Sequence, residues 1–225
     1  MRSPGAGKWE PEVFEDLPYR VLLPHDYSPT RKYPLVVFLH GSGERGKDNV
    51  SQLTKGVGAF NTRHVRSRFP CIVVAPQAPP GGSFGGAWYP SLWSTQDAVM
   101  RLTKELASRR SVDETRVYLT GLSMGAIGGW EILVRHPGVF AAAMLVCGEP
   151  KVEWARDLGK TPIWAFHGAG DDVVPIEPAR ALCTELTRRG HHVKWTEYPD
   201  VAHVSWDLAF DDPAVYPWLF SHRLP

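Results

Sequence analysis

The feature that most constrains this chain is a regular alternation of two patterns. Apolar or β-branched runs at 19–23, broken only by Arg20, and at 35–39, 71–75, 117–120, 143–147 and 163–166 are separated by segments of helical periodicity. Apolar runs of four to six residues suit strands covered on both faces. Val99, Leu102 and Leu106 line one face of a helix expected over 95–109, and Ile127, Trp130 and Val134 do the same over 123–136, ahead of Pro137-Gly138. A third helix starts at Glu177-Pro178, turns Leu182 and Leu186 inward and ends at Gly190. Strands alternating with helices imply an α/β protein with a mostly parallel central sheet and helices on both faces, because parallel neighbours need a crossover. Ligands of such sheets bind beyond the carboxyl ends of the strands. Chemistry is therefore to be sought just after each strand.

The chain's 225 residues suit one domain, read as 19–225 after a loosely structured lead-in over 1–18. Lys and Arg number 25 and Asp and Glu 24, so the net charge of +1 provides no field for a nucleic-acid backbone. The longest apolar run, 139–147, falls far short of the roughly 20 residues of a membrane span. Residues 1–8 hold no apolar stretch of signal-peptide type, so the expectation is a protein that stays inside the cell, or the mature part of an exported one. Cys71, Cys147 and Cys183 are widely spaced in apolar or helical segments and read as buried thiols.

Gly121-Leu122-Ser123-Met124-Gly125 is a G-x-S-x-G sequence, a pattern short enough that Gly81-Gly82-Ser83-Phe84-Gly85 repeats it. Context separates the two. A nucleophilic serine on a sharp turn needs a strand before it and a helix after it. Ser123 has both, whereas Ser83 follows Pro79-Pro80 and reads as part of a flexible loop. Because a serine hydroxyl attacks poorly unless a base takes its proton, an acid and a base are also expected at strand ends.

The run at 163–166 leads into His167-Gly168-Ala169-Gly170-Asp171-Asp172, which puts two adjacent carboxylates past a strand end, with no ground in the spacing for choosing between them. In the order Ser, Asp, His, the base must follow them, leaving His191, His192, His203 and His222. Only His203 lies in the loop after the next expected strand, 193–198. For the oxyanion, the run at 35–39 enters His40-Gly41-Ser42-Gly43-Glu44-Arg45-Gly46, whose small residues let backbone amides approach a ligand. One donor is assigned to the Met124 N–H and the other to this turn, with Ser42 ahead of Gly41 and Gly43. His40 and His167 read as anchors for the loops they precede.

With these residues placed, the chain resembles the α/β-hydrolase superfamily, in particular its compact serine esterases related to carboxylesterases, acyl-protein thioesterases and polyester depolymerases. The likeness rests on Leu39-His40-Gly41-Ser42-Gly43, Ala75-Pro76-Gln77, the Ser123 turn, His167-Gly168-Ala169-Gly170-Asp171 with Val174-Pro175, and His203 with Trp206. It implies Asp171 as the acid, Ser42 and Met124 as backbone oxyanion donors, and no metal or organic cofactor. About 48 residues separate Ser123 from Asp171, too few for the inserted lid of many relatives, so an open site is expected. Its walls would be loop aromatics, Phe84, Trp88, Tyr89, Trp93 and Trp206, with Trp88 and Trp206 as the candidate substrate contacts. The expected activity is that of a serine carboxylic-ester hydrolase forming an acyl-enzyme on a small-molecule or polymer-linked ester. The alternatives are a serine peptidase or thioesterase on the same machinery, and a non-catalytic binding module that keeps the fold.

Overall fold

The computed structural model describes residues 5–85 and 93–225. In chain order the elements are β1 (Trp9–Phe14), β2 (Leu17–Leu22), β3 (Tyr33–Leu39), α1 (Arg63–Arg68), β4 (Ile72–Pro76), β5 (Gly82–Ser83), β6 (Trp93–Ser94) and α2 (Gln96–Arg109). There follow β7 (Val112–Leu122), α3 (Met124–Arg135), β8 (Ala142–Val146), β9 (Ile163–Gly168), α4 (Glu177–Arg188), β10 (Val193–Tyr198), α5 (Trp206–Asp211) and α6 (Val215–Ser221).

Eight strands form one sheet in the order β1-β2-β4-β3-β7-β8-β9-β10, and β5 pairs with β6 separately. From β4 to β10 every pairing is parallel, while β2 joins β4 and β1 joins β2 in antiparallel fashion. All seven residues of β3 and all five of β8 are buried. Successive side chains of a strand point to opposite faces. Leu35, Val37 and Leu39 accordingly join the layer under α2, α3 and α4, and Val36 and Phe38 the layer under α1, α5 and α6. Each aliphatic side chain fully removed from water contributes roughly 1.5–3 kcal/mol, so the apolar faces of α2 (Leu102, Leu106) and α4 (Leu182, Leu186) hold those helices to the sheet.

The lead-in expected over 1–18 holds a strand. β1 pairs with β2 from Trp9–Leu22 to Phe14–Leu17, and Glu12 accepts a hydrogen bond from Tyr19 and ion-pairs with Arg110. Its two glutamates and Pro11 mask it in the sequence, yet they suit an edge strand, where a proline N–H is not needed. Ser83 is also corrected: it is fully buried in β5, not in a flexible loop, and its Oγ accepts from the Gly85 N–H at 3.2 Å. Among the described residues no lid subdomain interrupts the sheet, and no helix is long and apolar enough to cross a membrane. Because β3, β7, β8, β9 and β10 run in the same direction, the residues that follow them converge on one edge.

Candidate active site

β7 ends at Leu122, and Ser123 takes φ 50° and ψ −121° before α3 begins. A non-glycine residue held there costs on the order of 1–3 kcal/mol and persists only where its surroundings fix it. Here the Ser123 N–H donates to Val146 O at 2.9 Å, and its carbonyl accepts from the Ile127 N–H at 2.9 Å. The flanking glycines make the turn possible. A Cβ on Gly121 would come within 2.7 Å of Gly125 O, and one on Gly125 within 2.1 Å of Leu39 O.

Asp171 and His203 meet beside this serine. The Asp171 side chain is fully buried, and its Oδ1 accepts from the Val173 and Val174 N–H groups at 3.0 and 2.8 Å. Its Oδ2 lies 2.8 Å from His203 Nδ1 and 3.2 Å from His167 Nε2. Asp172 is exposed. With Nδ1–H donating to the carboxylate, His203 Nε2 is left as an acceptor, 2.9 Å from Ser123 Oγ. Trp206 packs edge-on against the imidazole, with ring centroids 5.2 Å apart. Gly168 lets the His203 loop close over β9, since a Cβ there would lie 2.2 Å from Val201 O. His167 is anchored by donation to Val174 O, and burial pushes its pKa down. His191 bonds to Gly159 O and His222 packs on Trp218.

The turn after β3 lies against the same serine. A Cβ on Gly41 would be 3.6 Å from Ser123 Cβ. His40 is buried and its tautomer is defined: Nε2 accepts from the Ala78 N–H at 2.9 Å and Nδ1–H donates to Gly41 O at 2.6 Å. Burial lowers its pKa to about 4. The peptide is planar and trans, so fixing the Gly41 carbonyl fixes the Ser42 N–H on the opposite side. Met124 supplies the first N–H of α3, where the helix dipole favours negative charge. Of the aromatic walls, Trp88 and Tyr89 lie outside the described residues. Phe84 is a core residue stacked edge-on against His40, with ring centroids 5.0 Å apart, and Trp206 is 6% exposed.

Another side chain in this centre was not anticipated. Cys147 is the first residue past β8, and its Sγ, an Asp171 carboxylate oxygen and a His203 ring nitrogen all lie within 4.8 Å of one another. This corrects the expectation of a serine carboxylic-ester hydrolase built on Ser123, Asp171 and His203 alone, and with it the designation serine esterase. The base and its acid share their cluster with a thiol, which favours the thioesterase alternative. The thiol is fully buried, and burial pushes its pKa well above that of a free cysteine. Among the described residues this is the one group of three such side chains close enough to surround a metal ion. Two of its donors are bonded to each other and the third is held protonated. The sequence did carry a signal for Cys147: β8 lies between β7 and β9, so the residue after it must sit between Ser123 and the acid.

Residues 27–214 match the Phospholipase/Carboxylesterase family. A probable carboxylesterase of Oryza sativa subsp. japonica is 25% identical over 191 residues, 76% of this chain and 81% of that protein. The structure of a thermostable esterase superposes with TM-score 0.89 and 35% identity over 96% of this chain; the chain spans 63% of that protein's length, less than two thirds. A feruloyl esterase module from Clostridium thermocellum, solved with sinapinate, shares the fold at TM-score 0.73 and 17% identity, over 97% of this chain and 89% of that one.

Proposed function

Since the chain belongs to the Phospholipase/Carboxylesterase family, we propose that it is an acyl hydrolase whose preferred bond is a thioester, cleaved through a covalent acyl-enzyme. The observation that carries this is the placement of His203, with Nε2 2.9 Å from a hydroxyl, Nδ1 2.8 Å from a fully buried carboxylate, and a thiol in the same cluster. In this reading Ser123 Oγ attacks the acyl carbon while His203 Nε2 takes its proton. The Ser42 and Met124 N–H groups hold the oxyanion, and Asp171 keeps the imidazole oriented and stabilises its charged form. Collapse of the tetrahedral adduct breaks the carbon–sulfur bond, and the imidazolium returns the proton to the departing sulfur. Water then attacks the acyl-serine with Nε2 as base, releasing the acid and restoring the hydroxyl. Thioesters are favoured because a thiol, with a pKa of about 8.5, departs with little help from an acid, whereas an alkoxide needs full protonation.

A second reading makes Cys147 Sγ the attacking atom. Its membership in the His203–Asp171 cluster speaks for it; full burial and a raised pKa speak against a thiolate there. Matched thioester, ester and peptide substrates test the bond preference, and parallel assays of Ser123→Ala and Cys147→Ala identify the attacking atom. Failure to turn over any of these substrates, together with no labelling by a fluorophosphonate probe, would leave a binding module in place of an enzyme.

A further inference from the structure

The oxyanion turn carries a charge pair that the chemistry above does not use. Glu44, in the turn after β3, has a side chain only 4% exposed, and its Oε1 is 3.1 Å from Lys55 Nζ. Its Oε2 lies where a Cβ on Gly41 would come within 2.9 Å, so the carboxylate sits against the backbone expected to face an oxyanion. A bare negative charge there would oppose catalysis, and Lys55 neutralises it.

Neutralisation alone does not explain where the ammonium lies. The carboxylate is buried, yet the Lys55 side chain that pairs with it is 47% exposed. Nζ stands 5.5 Å from the centre of the Trp206 ring, and that ring abuts His203 at 5.2 Å. On the other side, Nζ is 3.9 Å from where a Cβ on Gly43 would stand. The ammonium is therefore at the rim, one aromatic ring from the base, with its counter-charge behind it. A substrate approaching His203 meets the positive end of the pair first. One ammonium proton faces Glu44, which leaves two for a ligand.

We propose that Lys55 is a specificity-determining residue that receives an anionic group, a carboxylate or phosphate, on the departing half of the substrate. The departing half is the side served by His203, which hands it a proton, and Trp206 carries the apolar stem between that atom and the ammonium. This inference rests on the acyl-hydrolase reading and deepens it by naming a substrate class.

The test compares two thioesters that differ only in charge, S-butyryl-3-mercaptopropionate and S-butyryl-3-mercaptopropionamide, in the wild type, Lys55→Met and Lys55→Arg. The quantity read is the ratio of kcat/KM for the anionic over the neutral substrate, which cancels differences common to both. One charge-assisted hydrogen bond lost corresponds to roughly a tenfold fall in that ratio in Lys55→Met, carried by KM, with Lys55→Arg restoring it. Salt should erode the wild-type preference. If the unpaired Glu44 unfolds Lys55→Met, the double variant Glu44→Gln/Lys55→Met removes both charges and the same fall is expected. Turnover of both thioesters at a ratio indifferent to position 55 overturns this inference and leaves the hydrolase reading standing. Failure of the wild type to cleave either thioester overturns the reading beneath it and this inference with it.

Discussion

Ser123 and Cys147 occupy equivalent positions on neighbouring strands. Each is the first residue past its strand, each has a positive φ, 50° and 46°, and each donates its N–H to the strand beyond, Ser123 to Val146 O and Cys147 to Phe166 O. A parallel sheet repeats the same exit geometry at each strand end, and here it brings a hydroxyl and a thiol each into the neighbourhood of His203. Only the hydroxyl is hydrogen-bonded to His203.

The two side chains are therefore expected to respond differently to truncation. Removing an attacking group costs on the order of 10⁴–10⁶ in kcat, which is expected for Ser123→Ala. Cys147→Ala should stay within about tenfold of the wild type, since it removes a buried, protonated neighbour. Single-turnover assays on a short-chain thioester check this; the reverse pattern would assign the attack to sulfur.

Asp171 accepts hydrogen bonds from the Val173 and Val174 N–H groups and from His203 Nδ1–H in full burial. Asp171→Asn keeps the volume but removes the charge that orients and stabilises the imidazolium. A fall of about 10⁴ in kcat with little change in KM is expected. A variant within tenfold of the wild type would show that Asp171 is only a structural cap.

His40 makes stability depend on pH. It is neutral in the fold, where its pKa is about 4 against 6.5 for an unperturbed histidine, and burial is the main cause. Between those values the unfolded chain holds the extra proton, so stability is fully present above about pH 6.5 and falls as the pH drops toward 4. The loss is on the order of 3 kcal/mol, and the lowered pKa of His167 adds in the same direction. Urea denaturation at stepped pH should show this slope, and His40→Asn should flatten it. An unchanged slope in that variant would place the proton uptake elsewhere.

Gly125→Ala tests the turn itself. The new methyl would lie 2.1 Å from Leu39 O, a backbone atom that cannot swing aside. Destabilisation of more than about 3 kcal/mol is expected, beyond the usual range for single substitutions. A variant with the wild-type melting temperature would contradict the close apposition of α3 and the end of β3.

Much of this architecture is written in the sequence, because strands buried on both faces leave unbroken apolar runs and the sheet brings their ends together. Ser123 could be picked out behind such a run and His203 by its place in the loop after the next strand, whereas the choice of Asp171 over its neighbour Asp172 came only from the family resemblance. Cys147 followed the same rule but was hidden by its chemistry: a small apolar thiol extends the run at 143–147 by one residue instead of ending it. β1 was hidden for the opposite reason, since the charges of an edge strand resemble those of a disordered lead-in. Lys55 could not have been found from the sequence, because its meaning depends on how far its ammonium lies from Glu44 and from Trp206, neither of which spacing encodes.

The central claim is that the His203–Asp171 pair drives acyl transfer, with thioesters preferred. It is tested most directly by the rate of thiol release from a short-chain thioester and of alcohol release from its matched ester, in the wild type and in folded His203→Gln. The expected result is faster wild-type cleavage of the thioester, and a loss of at least about 10³ in the variant. A variant that keeps its rate within tenfold, or a wild type that cleaves the ester and leaves the thioester untouched, would contradict it.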